Sequence, residues 1–324
     1  LFFDDTELNS VTQHKHLGLT LSSNLSWSSH INEIVQGASK MCKVLKHFKY
    51  VIDRKSLETI YFTFIRHKLD YACQVWDNCT ERDKESIENV QLSAARIVTG
   101  AKKGTSHHLL NQELQWQPLS DRRSQIKLLH MHKIVHKTAP SYLTEILPEK
   151  VCAGSRYPLR NSNDIKQLKA RTVRFKRSFF PDCINNWNEL NEDIRKIIDL
   201  EEFRKSFVSK SSSNPLYYFG KRKANLIHSQ LRMHCSNLNG HLASLHVIDD
   251  PTCVCLNGIE DNEHFFLDCT LYYTCRLKLI NIVTELGNFT LETILYGDVN
   301  LDIEQNCVIF QAVHDYIMDS GRFY

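Results

Sequence analysis

Residues 251–269 read PTCVCLNGIEDNEHFFLDC and set Cys253, Cys255, His264 and Cys269 in a window of seventeen residues. Nothing else in the chain restricts its folding as tightly, because one ion held by all four side chains would close this loop on itself. Three thiolates and one imidazole suit a tetrahedral Zn²⁺, soft sulfur and nitrogen completing a closed structural site. The spacing is C-x-C-x8-H-x4-C. Its first pair is closer than the usual C-x2-C. Asn257-Gly258 between the halves is a turn signal that lets the chain double back. The competing reading is a set of buried free cysteines beside a surface histidine.

A length of 324 residues allows about two domains and sizeable apolar cores. With 42% hydrophobic and 24% charged residues the composition is that of a globular protein. No run approaches the ~18 apolar residues of a membrane span, so no membrane partner is expected. Eleven cysteines, an odd number and mostly unclustered, point to reduced thiols and an intracellular setting, nucleus or cytoplasm. The start, Leu1-Phe2-Phe3-Asp4-Asp5, has no initiator Met and no signal-peptide pattern, and reads as the interior of a longer protein. The net charge of +3 conceals segregation. Residues 1–100 are neutral, with 12 basic and 12 acidic side chains. Residues 101–240 hold 25 basic and 12 acidic, and residues 241–324 hold 3 and 13. A polyanionic partner for the middle segment accounts for this, and so does neutralisation between two halves of the molecule.

The alternation and apolar run in 1–21 predict two short strands joined at Asn9-Ser10. A helix from Ser28 or Ser29 follows, with Ile31, Ile34, Val35, Ala38, Met41, Cys42, Leu45 and Phe48 on one face. Lys40, Lys43, Lys46 and Lys49 lie opposite, as a solvated face or as a phosphate contact. Asp53 fits the N-cap of a second helix, with Leu57, Ile60, Tyr61, Phe64 and Ile65 as its buried stripe. A further helix over 81–99 stops at Gly100, with Leu92, Ala95 and Arg96 beside or off its apolar stripe. Three such amphipathic helices make a bundle. Helices near 106–114 and from Ser120 to about His136 come next, separated at Gln117-Pro118. His130, His132 and His136 share the latter without a carboxylate or cysteine to make a metal site. Closing helices are expected over 271–286 and 301–319.

Eleven cations are candidate nucleic-acid contacts: Lys102, Lys103, Lys166, Lys169, Arg171, Arg174, Lys176, Arg177, Lys221, Arg222 and Lys223. Six of them stand between Lys166 and Arg177 with no acid among them. Phe175, Phe179 and Phe180 interleave, and aromatic faces stack on unpaired bases as cations meet phosphates. The same phenylalanines also fit an apolar core with Pro181 and Trp187.

Several of these stretches, in order, resemble one family. His16-Leu17-Gly18-Leu19-Thr20-Leu21, Trp27 and His30-Ile31 are similar to the segment after the palm of non-LTR retrotransposon reverse transcriptases. Asp70-Tyr71-Ala72, Val75-Trp76 and the run from Val90 to Gly100 resemble their thumb-side helices. Leu231-Arg232, Cys253, Cys255, His264-Phe265-Phe266 and Cys269 resemble the zinc-knuckle segment of jockey and CR1-type (LINE) elements.

The resemblance implies a mainly α chain with a short N-terminal β-hairpin. Residues 1–21 would be a palm-end hairpin remnant, 22–147 a thumb-like helical bundle and 148–215 a basic connector with helices. Residues 216–324 would form a helical domain with a zinc-knuckle-like loop at 253–269. It further implies the C-terminal part of an RNA-directed DNA polymerase, with RNA, RNA–DNA hybrid and the rest of the polyprotein as partners. Mg²⁺ would belong only to the parent polymerase. Phe2-Phe3-Asp4-Asp5 mimics a polymerase signature, but two-metal phosphoryl transfer needs carboxylates from separate strands and none precedes it here. The chain as it stands is therefore expected to be non-catalytic. The alternative is a structural or interaction module whose zinc-braced C-terminal domain makes no nucleic-acid contact.

Overall fold

The computed structural model describes residues 2–3, 6–7, 9–153, 161–207 and 214–324. Asp4 and Asp5, and the parts of the expected basic connector at 154–160 and 208–213, fall outside them. The fold is mainly helical with short antiparallel strands at the start. Among the described residues no helix is long and apolar enough to cross a membrane. The chain forms two compact units, each from three segments.

The first unit comprises Leu1–Ser39, Arg66–Asn89 and Gln117–Lys210. Its hairpin pairs β3 (Gln13–His16) with β4 (Leu19–Ser22), His16 opposite Leu19; β1 (Phe2–Phe3) and β2 (Thr6–Glu7) pair before it. The turn therefore lies at Leu17-Gly18, not at Asn9-Ser10. Leu17 (φ 47°) and Gly18 (φ 79°) both take the left-handed conformation that a two-residue hairpin turn requires. The apolar look of Leu17 hid that turn, and its side chain is 76% exposed.

Tyr71 holds the turn: its hydroxyl donates to the Leu17 carbonyl at 2.9 Å, and its ring would stand 3.3 Å from a Cβ at Gly18. Ala72 (φ 50°) breaks the helix ending at Asp70, and the buried Trp76 donates its indole N–H to the Tyr71 carbonyl at 2.9 Å. Thus Leu17-Gly18, Asp70-Tyr71-Ala72 and Trp76, far apart in sequence, make one local assembly.

A helix over Leu119–Val135 is the spine of this unit. Leu128 and Met131 pack with Ile165, Cys183, Ile184, Trp187 and Phe203. Arg122 pairs with Asp70 through two nitrogens. Asp77 accepts from both Arg123 and Lys127, and Lys127 also reaches Asp182 at 2.6 Å. His132 and His136 face the carbonyls of Ile197 and Arg195; they serve the packing of this unit.

The second unit comprises Lys40–Ile65, Val90–Trp116 and Ser211–Tyr324. Two long helices, Ser28–His47 and Glu81–Thr99, contribute their C-terminal parts to it. Asp53 caps Arg54–Ile60 as expected, accepting from the Ser56 N–H at 2.9 Å. An apolar cluster in this unit joins Ile227 and Leu231 to Phe265, Phe266, Leu279, Val283, Phe310, Val313 and Ile317. The last helix, Ile303–Asp319, opens with a reciprocal cap between Asp302 and Gln305. Leu92 and Ala95 are buried together with Val90, Ala94 and Val98. The expected one-sided stripe is therefore wrong for this part of the helix, which is covered on more than one side.

Gly100 (φ 77°) ends that helix where a Cβ would stand 2.4 Å from Leu226 Cγ. Gly100→Ala should cost about 2–4 kcal/mol, from left-handed strain and overpacking together. Denaturant unfolding measures it, and a change under ~0.5 kcal/mol would contradict the packing described.

Candidate metal centre

The cluster is built by a tight turn facing a helix start. Thr252 and Ile259 bridge antiparallel, and the Cys253 N–H donates to the Gly258 carbonyl at 2.9 Å. Between them Leu256 (φ 63°) and Gly258 (φ 141°) bring the chain round. Cys253 and Cys255 thus approach from one strand-like edge. His264 begins a wide helical turn running to Asp268, and its N–H is capped by the Asp261 carboxylate at 2.9 Å. Cys269 follows directly, its N–H donating to the His264 carbonyl at 2.7 Å.

The four donor atoms all lie within 4.8 Å of one another. Cys253 Sγ and Cys269 Sγ are 3.7 Å apart, and Cys255 Sγ and His264 Nε2 are 3.2 Å apart. A tetrahedral ion with metal–sulfur bonds of about 2.3 Å has sulfur–sulfur edges of about 3.8 Å. A disulfide needs about 2.05 Å. The spacing therefore fits a shared ion, and the group can hold a metal.

Cys253, His264 and Cys269 are buried and Cys255 is partly exposed. Without an ion, burial pushes the Cys253 thiol up to about 12 and raises Cys269 as well. Burial also opposes ionisation of Cys255, yet its pKa is lowered, the Asn257 N–H at 3.4 Å being the main favourable contribution. Protonated, these thiols are buried at little cost; as the thiolates a metal requires, they would need its charge to offset their desolvation.

Residues around the cluster fix its shape. The Arg276 guanidinium donates to the carbonyls of Leu267 and Cys269. The Tyr316 hydroxyl donates to the carbonyl of Phe265. Phe265 and Phe266, next to His264, are fully buried in the core of the unit. Asp261, three residues before His264 at a helix start, was recognisable as a cap; Arg276 carried no local signal.

The candidate cations are distributed over both units. Lys166, Lys169, Arg171, Arg174, Lys176 and Arg177 belong to the first and all are exposed. Lys166 reaches Glu149 at 3.3 Å, Arg174 the Asn24 carbonyl at 3.2 Å and Arg177 Glu81 at 3.1 Å. Phe175 is 45% exposed, while Phe179 and Phe180 are half-buried.

In the second unit Lys103 and Lys221 are exposed, and Lys102 bonds the Asn237 side chain. Lys223 sits 3.8 Å over the Tyr324 ring. Arg222 donates to the carbonyls of Lys49 and Val98 at 2.8 and 2.6 Å, so it closes chain ends within its own unit.

A mainly helical chain with a Cys₃His cluster near its C-terminus is what fold and site together define. Among known proteins it is similar to the probable RNA-directed DNA polymerase from transposon X-element of Drosophila melanogaster, with 24% identity over 126 residues. The match covers 37% of this chain and 14% of the fly protein's length. It relates part of this chain, distantly, to retrotransposon reverse transcriptases. No protein-family profile matches the sequence, and no solved structure matches the chain.

Proposed function

We propose that this chain is a non-catalytic segment of a retrotransposon RNA-directed DNA polymerase that holds template RNA or RNA–DNA hybrid and is braced by one structural Zn²⁺. The observation that carries the reading is the sequence likeness to the transposon polymerase. The exposed cations from Lys166 to Arg177 support it, since phosphate contacts need charge and reach but no fixed base geometry. The donor set supports zinc, because sulfur-rich tetrahedral groups select it over hard cations that prefer oxygen.

The alternative keeps the zinc and removes the nucleic acid, the cations then serving internal pairing of the kind Arg177 makes with Glu81. Substituting Lys166, Arg171 and Arg174 together with Glu separates the two. On our reading, affinity for an RNA–DNA hybrid falls at least about tenfold at unchanged melting temperature. A lowered melting temperature with unchanged affinity would establish the structural module instead. A primer-extension assay of the isolated chain should show no nucleotide incorporation.

A further inference from the structure

The first unit contains a cleft of about 890 Å³ that the metal centre does not use. That volume lies in the range of pockets that enclose a ligand or several side chains. Ile134, Leu143, Leu168, Phe179 and Pro181 form part of its lining. Three further lining side chains remain open to solvent: Val75 at 44%, Ile146 at 52% and Phe175 at 45% exposure. Contiguous exposed carbon of this kind marks an interaction site.

Gln74, Thr138 and Ser178 are neutral polar groups of its lining. Lys133 and His130 line it, and no carboxylate does so among the described residues. The lining residue Phe175 stands between Arg174 and Lys176 in the helix Val173–Lys176, all three exposed.

We propose that this cleft docks an acidic amphipathic helix of a partner protein. Apolar anchors at i, i+3/i+4 and i+7 would enter among Phe175, Ile146 and Leu143, and flanking carboxylates would meet Lys133 and Arg174. Charge complementarity selects an acidic occupant over a basic one. Val75, Ile134, Leu143, Ile146 and Leu168 give aliphatic walls that leucine-like anchors fill, whereas a base would stack on the phenylalanines alone. The inference shares Arg174 and Phe175 with the candidate nucleic-acid contacts, so its test includes a nucleic-acid competitor.

The test uses the full chain and three labelled peptides of about eighteen residues, roughly five helical turns. One is an amphipathic Leu/Glu helix, one the same pattern with Lys for Glu, and one the Leu/Glu composition with its leucines dispersed. Fluorescence anisotropy should show the first binding at least about tenfold tighter than either of the others. Ile146→Asp with Phe175→Asp should weaken it about tenfold or more, with melting temperature unchanged because both positions are exposed.

The proposal is overturned if the double variant binds the acidic helix as well as the parent does, or if the dispersed peptide binds equally. It is also overturned if an oligouridine strand displaces the helix from the parent and loses affinity for the double variant, which would assign the cleft to nucleic acid. Self-association abolished by the double variant would assign it to a second copy.

Discussion

Cys253→Ser should abolish metal binding and unfold the segment from about residue 250 to 275. Structural Zn²⁺ can be worth ~10 kcal/mol or more, so no larger single-residue effect is expected in this chain. The loss should spread beyond the loop. Phe265 and Phe266 carry the segment into the apolar core, and the Tyr316 hydroxyl ties Phe265 to the last helix. Metal analysis and amide hydrogen exchange check it together: metal content near zero, and protection lost from the loop and then from 303–319. A variant that keeps one equivalent of metal, or a parent that holds none at any ratio, would contradict the ligand assignment.

Glu113→Ala should be the most damaging substitution away from the metal centre. Glu113 is buried between two arginines of the second unit. It accepts from Arg54 at 2.7 Å and from Arg232 at 2.7 and 3.0 Å. Arg54 also pairs with Glu58 at 3.0 Å, and the Tyr218 hydroxyl meets Glu58 at 3.1 Å. Arg232 lies 4.0 Å over the Tyr217 ring.

The network stitches three distant stretches of chain, and its charges balance. Removing Glu113 leaves two buried guanidinium groups facing one another, a loss of about 3–5 kcal/mol. Replacing Arg54, Glu58, Glu113 and Arg232 together by apolar residues of similar size should recover much of it, since buried ion pairs return little net stability over good packing.

The network also sets an acid limit. Burial would raise the Glu113 carboxyl, but Arg232 and then Arg54 override it and hold its pKa below the ordinary value. A depressed carboxylate contributes its stability fully above the unfolded-state value of about 4.3 and loses it as pH falls through the folded value. Denaturant midpoints for parent and Glu113→Ala should therefore differ widely at neutral pH and converge in acid. Equal midpoints at neutral pH would refute the account.

Periodic features were legible in the sequence and shared ones were not. The helices over 28–47, 81–99, 119–135 and 303–319 are long enough for their spacing to show, and Asp53 and Gly100 announce a start and a stop. The cluster of Cys253, Cys255, His264 and Cys269 was legible because it is local: one loop carries all four. The hairpin turn was missed because Leu17 is an unusual residue for a left-handed position.

Leu92 and Ala95 were placed off the buried stripe because a periodicity rule assumes one covered face. Arg54, Glu58, Glu113 and Arg232 look like ordinary surface charges, since only the fold shows that they share one interior. Arg222 likewise has carbonyl partners that no local pattern announces. Arg276 stands seven residues beyond the last ligand and gives no sign of its bonds to the metal-site loop.

The central claim, that this chain grips nucleic acid through its exposed cations, is tested most directly by salt. Affinity for an RNA–DNA hybrid should be measured by anisotropy at 50 and 200 mM monovalent salt. If about six cations meet phosphates, affinity should fall roughly a thousandfold between the two. An affinity that barely changes would show that counterion release plays no part, and that the basic segment serves the fold alone.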